Sequence, residues 1–219
     1  MSTIEASFIR RNGLSILVLL FMLATWLGQI LTGHVVYNEE LSDAGAGTLS
    51  LLAYLGSGHF VSATFENWES EFLQMGMYVL LSVSLRQKGS AESRPLDPDQ
   101  EEERIEAGPT PWPVRAGGVW LKLYEHSLAI AFAVLFLLSF VLHLEGSWRH
   151  ENVQRKLEGQ VPVAVWDHLA SAQFWFESFQ NWQSEFLAVA ALVLLTIFLR
   201  QKDSPQSKPV SAPHRQTGV

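Results

Sequence analysis

Two matching segments of the chain place a carboxylate at the head of an apolar run. Residues 65–73 read FENWESEFL and residues 179–187 read FQNWQSEFL, and the uncharged stretch that begins within each is 14 residues long. The carboxylates that both segments share and that adjoin these stretches are Glu71 and Glu185. A carboxylate in a hydrocarbon layer is costly unless it is paired, protonated or bound to a cation, so both are candidates for chemistry.

Further polar residues recur at helical spacing around these glutamates. On the segment that carries Glu71, a polar face continues through Gln74, Tyr78 and Ser82 at steps of three and four residues. Two other apolar segments carry polar side chains at a similar depth. The candidate polar or ion site consists of Glu71, Glu185, Asn67, Asn181, His143, Gln29, Ser70 and Ser184.

Three interpretations of this set stay open. In the leading one, the polar groups hydrogen-bond between helices and fix their register. In the second, the two glutamates and His143 bind protons or a cation, because carboxylates brought close in a low dielectric cannot both ionise. One histidine and two glutamates are too few ligands to identify a metal. In the third, an outward recognition surface for lipid or another membrane protein is built from the interfacial aromatic residues Trp68, Trp182, Phe65 and Phe179.

These residues must be positioned by membrane-spanning helices. Residues 12–33 form an uncharged run of 22 residues, which is enough to cross a hydrocarbon core about 30 Å thick. We predict an all-α membrane protein with four transmembrane helices, over about 13–32, 60–85, 124–144 and 174–199. The second and fourth spans must include the repeated motifs, because 14 residues of helix cover only about 21 Å.

The two halves of the chain repeat each other. With a shift of 114, residues 60–90 align on 174–204 with 16 of 31 positions identical. This predicts two tandem helical hairpins, residues 1–88 and 119–202, related by an approximate two-fold axis along the membrane normal. Long outer loops with short interfacial helices join the spans within each hairpin. Ser57 and Ser171 are the predicted N-caps of the second and fourth spans.

Basic residues predict the orientation in the membrane. Of 15 Lys and Arg residues, 12 lie before the first span, between the second and third, or after the fourth. Both termini and the linker 89–118 are therefore predicted to be cytoplasmic, in a multi-pass membrane protein. The linker is acidic and rich in proline, and it and the tail 203–219 are predicted to be disordered.

Composition and motifs exclude several classes of protein. Charged residues make up 17% of the chain, against about 25% in soluble domains, and cysteine is absent. The net charge of −7 offers no basic footprint for nucleic acid. The chain carries no nucleophile elbow, P-loop or dinucleotide fingerprint, so we expect neither an enzyme nor a cofactor. The expected partners are the lipid bilayer and either a second copy of the chain or another membrane protein.

Three motifs together resemble a known family. They are Arg-Arg-Asn-Gly-Leu-Ser before the first span, Gly-x₃-Tyr-Asn-Glu-Glu after it, and Phe-x-Asn-Trp-x-Ser-Glu-Phe ahead of Leu-Arg-Gln-Lys. Over nearly its whole length the chain resembles a family of small bacterial integral membrane proteins of unknown function. The resemblance implies duplicated hairpins in a bacterial cell membrane and carries over no activity.

These observations lead to one leading functional hypothesis and one alternative. The leading hypothesis is a structural or interaction protein with a polar intramembrane cluster near the outer leaflet. The alternative is a small transporter or channel that handles protons or cations through Glu71 and Glu185, with His143.

Overall fold

The computed structural model describes residues 8–97 and 105–218, and within them the fold is entirely helical. Most of the acidic run of the linker, residues 98–104, lies outside the described residues. No strand occurs in the described ranges. The helices are α1 (Phe8–Asp43), α2 (Leu51–Leu55), α3 (Gly58–Ser84), α4 (Trp112–Ala116), α5 (Gly118–Glu125), α6 (Ser127–Leu157), α7 (Val165–Leu169) and α8 (Ala172–Phe198).

Three of the described helices are long and apolar enough to cross a membrane. They are α1, α6 and α8, and each contains an 18-residue window of mean hydropathy between 1.5 and 2.5. Within those windows at most 11% of residues are buried by the rest of the protein. Apolar side chains left outside a protein core in this number need a hydrocarbon surrounding, which is the pattern of a membrane protein.

The described residues fall into two compact units. One consists of the residues up to Ala63 together with Glu145–Val165, and the other consists of Thr64–Leu144 together with the residues from Trp166 onward.

In the first unit, α1 is longer than the predicted span 13–32. It continues to Asp43 because its last turns bury Tyr37 and Leu41 in a core with Tyr54 and Phe60. The Tyr37 and Tyr54 rings lie 6.0 Å apart. The gain from burying these large side chains exceeds the preference of the polar residues around them for a loop.

Two glycines of the first unit allow backbones to approach closely. A Cβ atom on Gly58 would lie 2.6 Å from the carbonyl oxygen of Gly146, and one on Gly146 would lie 2.4 Å from the amide nitrogen of Ser62. No real side chain fits such distances. The start of α3 and the part of α6 around Gly146 therefore pack backbone against backbone, as small residues permit between membrane helices.

The ends of α1 and α6 have the same local structure. After each helix a glycine takes a left-handed conformation, Gly45 with φ 73° and Gly159 with φ 72°. The amide of the next residue donates to a carbonyl five residues back, at 2.7 Å in both cases. This is the Schellman arrangement, which satisfies carbonyls at a helix end.

An asparagine near the end of each of these two helices holds the chain that follows. Asn38 donates to the carbonyl of Leu49 at 3.0 Å and accepts from its amide at 2.7 Å. Asn152 makes the same pair of bonds with Val163, at 3.1 and 2.8 Å. The two asparagines and their two partners are each 114 residues apart.

The predicted N-caps of α3 and α8 are confirmed. The Ser57 hydroxyl accepts from the amide of Phe60, and the Ser171 hydroxyl accepts from the amide of Phe174, both at 3.2 Å. Each helix then runs unbroken for 27 residues, or about 40 Å.

At their far ends, α3 and α8 lead into two loops that fold alike. Arg86 donates to the carbonyl of Ser82 at 3.0 Å, and Arg200 donates to the carbonyl of Thr196 at 3.2 Å. Each arginine so satisfies a carbonyl that the helix end leaves without a partner.

Each loop is then closed by a serine. The amide of Gln87 donates to the hydroxyl of Ser93, and the amide of Gln201 donates to the hydroxyl of Ser207, both at 2.9 Å. Between these bonds the backbone turns through a positive φ, 85° at Gly89 and 64° at Asp203. Glycine adopts that conformation most readily, and aspartate does so more often than most other residues.

The C-terminal segment packs on the first of these loops, although its composition predicts disorder. The buried ammonium of Lys208 donates to the carbonyls of Gly89, His214 and Gln216, the last two at 3.0 and 2.8 Å. The amide of Gly89 also donates to the Thr217 hydroxyl at 2.9 Å. Bonds from a buried ammonium to several carbonyls hold an otherwise polar segment in one conformation.

Candidate functional site

A fully buried histidine lies at the centre of a group of carboxylates in the second unit. Nδ1 of His143, on α6, lies 3.1 Å from Oε2 of Glu69, on α3. Both side chains are 0% exposed. On the other side of the ring, Nε2 lies 3.9 Å from Oε2 of Glu177, on α8. Three helices therefore each contribute one ionisable group to this His143 cluster.

A third carboxylate and two hydrogen-bond donors complete the His143 cluster. Glu66 lies one turn from Glu69 on α3 and accepts a hydrogen bond from the side-chain amide of Asn181. The indole nitrogen of Trp182 donates to Oε1 of Glu69 at 3.1 Å. These bonds connect α3 to α8 and fix the orientation of both carboxylates.

The contact between Glu69 and His143 is close but poorly aligned. Oε2 of Glu69 and both ring nitrogens of His143 have no hydrogen bond of good geometry, and the 3.9 Å contact of Nε2 with Glu177 is too long for one. The buried hydroxyls of Thr64 and Ser178 are likewise unsatisfied. Buried polar atoms in this state are rare and costly in folded proteins.

Aromatic rings enclose the histidine. Phe174 is 0% exposed and its ring stacks on His143, with centroids 4.9 Å apart. Phe140 and Trp175 pack against Phe174 at 5.6 and 5.7 Å. An apolar wall of this kind keeps the local dielectric low, so charges in the cluster act strongly on one another.

The structure gives the two predicted glutamates a less buried setting. Glu71 is exposed and Glu185 is half-buried. They lie close enough for the charge of Glu71 to act on Glu185. Nearby, the side chain of Gln74 donates to the backbone carbonyl of Glu185 at 2.6 Å. The bond between Gln74 and Glu185 joins α3 to α8. Among the described residues we observe no contact of Glu71 or Glu185 with His143.

The other predicted site residues are spread over several environments. Ser70 is buried and donates to the carbonyl of Asn67 at 2.7 Å, and the exposed Ser184 donates to the carbonyl of Asn181 at 2.8 Å. Gln29 is half-buried on α1, in the first unit.

The predicted interfacial aromatic residues pair within each motif. Phe65 packs on Trp68 with centroids 5.3 Å apart, and Phe179 packs on Trp182 at 5.5 Å. Trp182 has a second role that the motif did not indicate, since its indole binds Glu69.

Sequence reasoning missed Glu66, Glu69 and Glu177. It favoured carboxylates that both halves retain, and these three are replaced in the other half. The sequence signal that could have found them is that a charged residue in one half corresponds to a neutral residue in the other. With the shift of 114, the counterparts of Glu66, Glu69, His143 and Glu177 are Gln180, Gln183, Gln29 and Ala63.

The geometry of the cluster is not that of a metal site. Within residues 8–97 and 105–218, no group of three or more His, Asp or Glu side chains has an arrangement that could hold a metal ion.

Comparison with known proteins assigns the chain to a family. A model described as a domain of unknown function, DUF6766, matches residues 5–219. The chain belongs to the DUF6766 family. No curated protein and no solved structure matches it. The function of the family is unknown, so the chemistry of this DUF6766 member has to be argued from the His143 cluster.

In this DUF6766 member, acidic groups outnumber basic groups in the His143 cluster. With every group ionised, three carboxylates would surround one imidazolium in an apolar pocket. Like charges brought together in a low dielectric oppose one another's ionisation. What the arrangement can do chemically is to bind a proton and release it.

Proposed function

We propose that this DUF6766 member is a four-span protein of a bacterial inner membrane whose His143 cluster is a proton-binding site. The observation that carries the proposal is the 3.1 Å contact of His143 with Glu69, both fully buried, with Glu177 on the opposite ring nitrogen. Ionisable groups buried inside a membrane-type helical unit are expensive, and function is the usual reason for their presence.

Four spans are supported by the likeness of α3 to α8. Both helices are 27 residues long and both begin at a capping serine. α3 is the more polar of the two helices, and its carboxylate Glu69 is fully buried. A burial of that kind lets a helix carry carboxylates through a hydrocarbon layer.

Two tandem hairpins, with both termini and the linker 89–118 cytoplasmic, form part of the proposal. Their support is the sequence repeat together with the local structures that recur 114 residues apart: the glycine ends, the asparagine bonds, the capping serines and the arginine loops. The basic residues of the arginine loops favour a cytoplasmic position.

The repeat also supports a special role for the His143 cluster. All four ionisable members correspond to neutral residues in the other half. A purely structural network would be equally useful in both halves. We infer that duplication was followed by specialisation of one site for charge.

A structural role is the second candidate, and interhelical hydrogen bonds favour it. The bond from Trp182 to Glu69 and that from Gln74 to Glu185 each fix α3 against α8. Such bonds set helix register and contribute about 0.6–2 kcal/mol each. A structural network needs no titration, and this separates the two candidates.

Infrared titration of the purified protein tests the proposal. We expect a protonated carboxyl band that titrates in the wild type and is lost or shifted in Glu69→Gln and in His143→Gln. Both substitutions install the residue present in the other half, so they are modest in shape. Glu71→Gln, at an exposed position, is the control and should leave the band unchanged.

Two results would decide against the proton site. One is a wild type without a titrating carboxyl band. The other is a band that persists unchanged in both cluster variants. A proton flux measurement in proteoliposomes then tells binding from transport, since flux abolished in Glu69→Gln and kept in Glu71→Gln indicates transport.

A further inference from the structure

A cavity lies in the second unit at the end of α3, away from the His143 cluster. Its volume is about 310 Å³. Apolar side chains of α3 and α8 form its walls, and polar groups gather where α3 ends. The residues that matter here are Tyr78, Ser82, Arg86, Glu92, Val189 and Val193. A space of this size with several polar partners can hold a chain of water molecules.

A carboxylate is held at the wall of this cavity. The Tyr78 hydroxyl donates to Oε2 of Glu92 at 3.0 Å. The Gln206 amide, with its nitrogen turned towards Glu92, reaches both oxygens of that carboxylate. Arg86, which also lines the cavity, is held by the carbonyls of Ser82 and Pro95 at 3.0 and 3.3 Å. Glu92 is thus oriented by a hydroxyl and an amide, in a cavity that Arg86 also lines.

Buried polar side chains lie along α3 between Glu69 and the cavity. Ser70 and Gln74 are 1% and 7% exposed, and Tyr78 follows Gln74 at a spacing of four residues. Residues four apart lie on one face of a helix. The distance along the axis from Glu69 to Tyr78 is about 14 Å, from nine residues at about 1.5 Å each.

We propose that this cavity is the inner access chamber of the His143 cluster, and that Glu92 exchanges protons there with the aqueous phase. A proton from water binds a Glu92 carboxylate oxygen and is released to water in the cavity, which leaves Glu92 a carboxylate again. The polar face of α3 leads it on to Ser70, which directly follows Glu69 in the chain. This inference rests on the proposed function.

The other half of the chain supports the pairing of chamber and cluster. With the shift of 114, the counterparts of Gln74, Tyr78 and Glu92 are Ala188, Leu192 and Gln206. The half of the repeat without the polar face also has Gln183 where Glu69 stands. Polar route and ionisable cluster therefore occur together or are absent together.

A pH jump on the protein in nanodiscs, followed by stopped-flow infrared of the cluster carboxyl band, tests the inference. Glu92→Gln should slow protonation of the cluster about a hundredfold, at the low end of what a positioned acid–base group contributes. The midpoint of the equilibrium titration should stay that of the wild type. Glu92→Asp, which keeps a carboxylate, should restore most of the rate. Glu125→Gln removes an exposed carboxylate at the end of α5 and should exchange at the wild-type rate.

Each other outcome overturns the access role. An unchanged rate in Glu92→Gln would mean that protons reach the cluster by another route. A slower rate with a shifted midpoint would mean that Glu92 acts on the cluster through charge or packing. If protonation in Glu92→Asp were as slow as in Glu92→Gln, the exact shape of the side chain would matter rather than its carboxylate. A wild type without a titrating band would refute the proposed function as well, so the two failures are distinguishable.

Discussion

Glu69 and His143 approach each other to 3.1 Å from different helices, and neither side chain is exposed. The carboxylate is held from its other oxygen by the indole of Trp182. Around a histidine and a glutamate so enclosed, a change of one proton has a large electrostatic effect.

The first prediction concerns this pair. His143→Gln should lower the free energy of unfolding by roughly 3–5 kcal/mol, because it leaves the carboxylate of Glu69 buried without a counter-ion. The double variant His143→Gln/Glu69→Gln should recover much of that loss, since it removes the charge left behind. Denaturant unfolding in detergent measures both. Additive losses in the double variant would show that the pair is not coupled.

The second prediction uses the glycine contact of the first unit. Gly146→Ala should destabilise the protein by at least about 1–3 kcal/mol, because the new methyl group would lie 2.4 Å from the amide nitrogen of Ser62. Gly28→Ala is the matched control, since a Cβ there meets no atom within 4 Å. Thermal unfolding in detergent compares them, and equal melting temperatures would argue against the close backbone packing.

The third prediction concerns the C-terminal segment. Lys208→Met keeps the length of the side chain but removes the donor, so the carbonyls of His214 and Gln216 lose their partner. Amide hydrogen exchange of residues 212–218 should become faster while that of α8 stays the same. Lys202→Met, at an exposed position of the same loop, serves as the control. Unchanged exchange in Lys208→Met would mean that the lysine does not hold the segment.

The fourth prediction is a pH dependence in the first unit. Burial lowers the pKa of His59, just before the predicted second span, and the negative charge of Glu40 opposes that effect. The ring stacks on Tyr37 at 4.7 Å, meets His150 edge-on at 5.2 Å and contacts the Tyr54 hydroxyl at 3.3 Å. Neutral His59 is therefore the form that the fold favours.

The sign of this dependence follows from linkage. The unfolded chain takes up the His59 proton near its ordinary pKa of about 6.5, while the folded chain resists it to lower pH. The contribution is thus complete above about pH 6.5 and is lost as the pH falls below it. Melting temperatures of the wild type and of His59→Phe, measured between neutral and acidic pH, check this. The variant should have the weaker dependence, and an equal one would contradict the assignment.

Local features of this protein could be read from its sequence. Ser57 and Ser171 cap α3 and α8 because an N-cap depends on one hydroxyl and an amide three residues later. The apolar runs indicate membrane-type helices, since the length and composition of one local segment decide whether it can span a bilayer. The membership in a family of unknown function agrees with the resemblance that the motifs indicate.

Features that depend on distant residues could not be read in this way. The tail has the composition of a disordered segment, yet Lys208 is 1% exposed, and carbonyls from two distant parts of the chain converge on its ammonium. Similarly, α1 extends to Asp43 because Tyr37 meets Tyr54. Neither contact leaves a periodic signal in the sequence.

The candidate site divides along the same line. The sequence by itself determined that carboxylates and a histidine lie on apolar helices, and that the two halves differ in charge at four matched positions. Only the tertiary structure decided that Glu69, and not Glu71, faces His143. Side chains two residues apart are rotated by about 200° around the helix axis and so point to nearly opposite sides. The choice between Glu69 and Glu71 therefore depends on where the neighbouring helices lie.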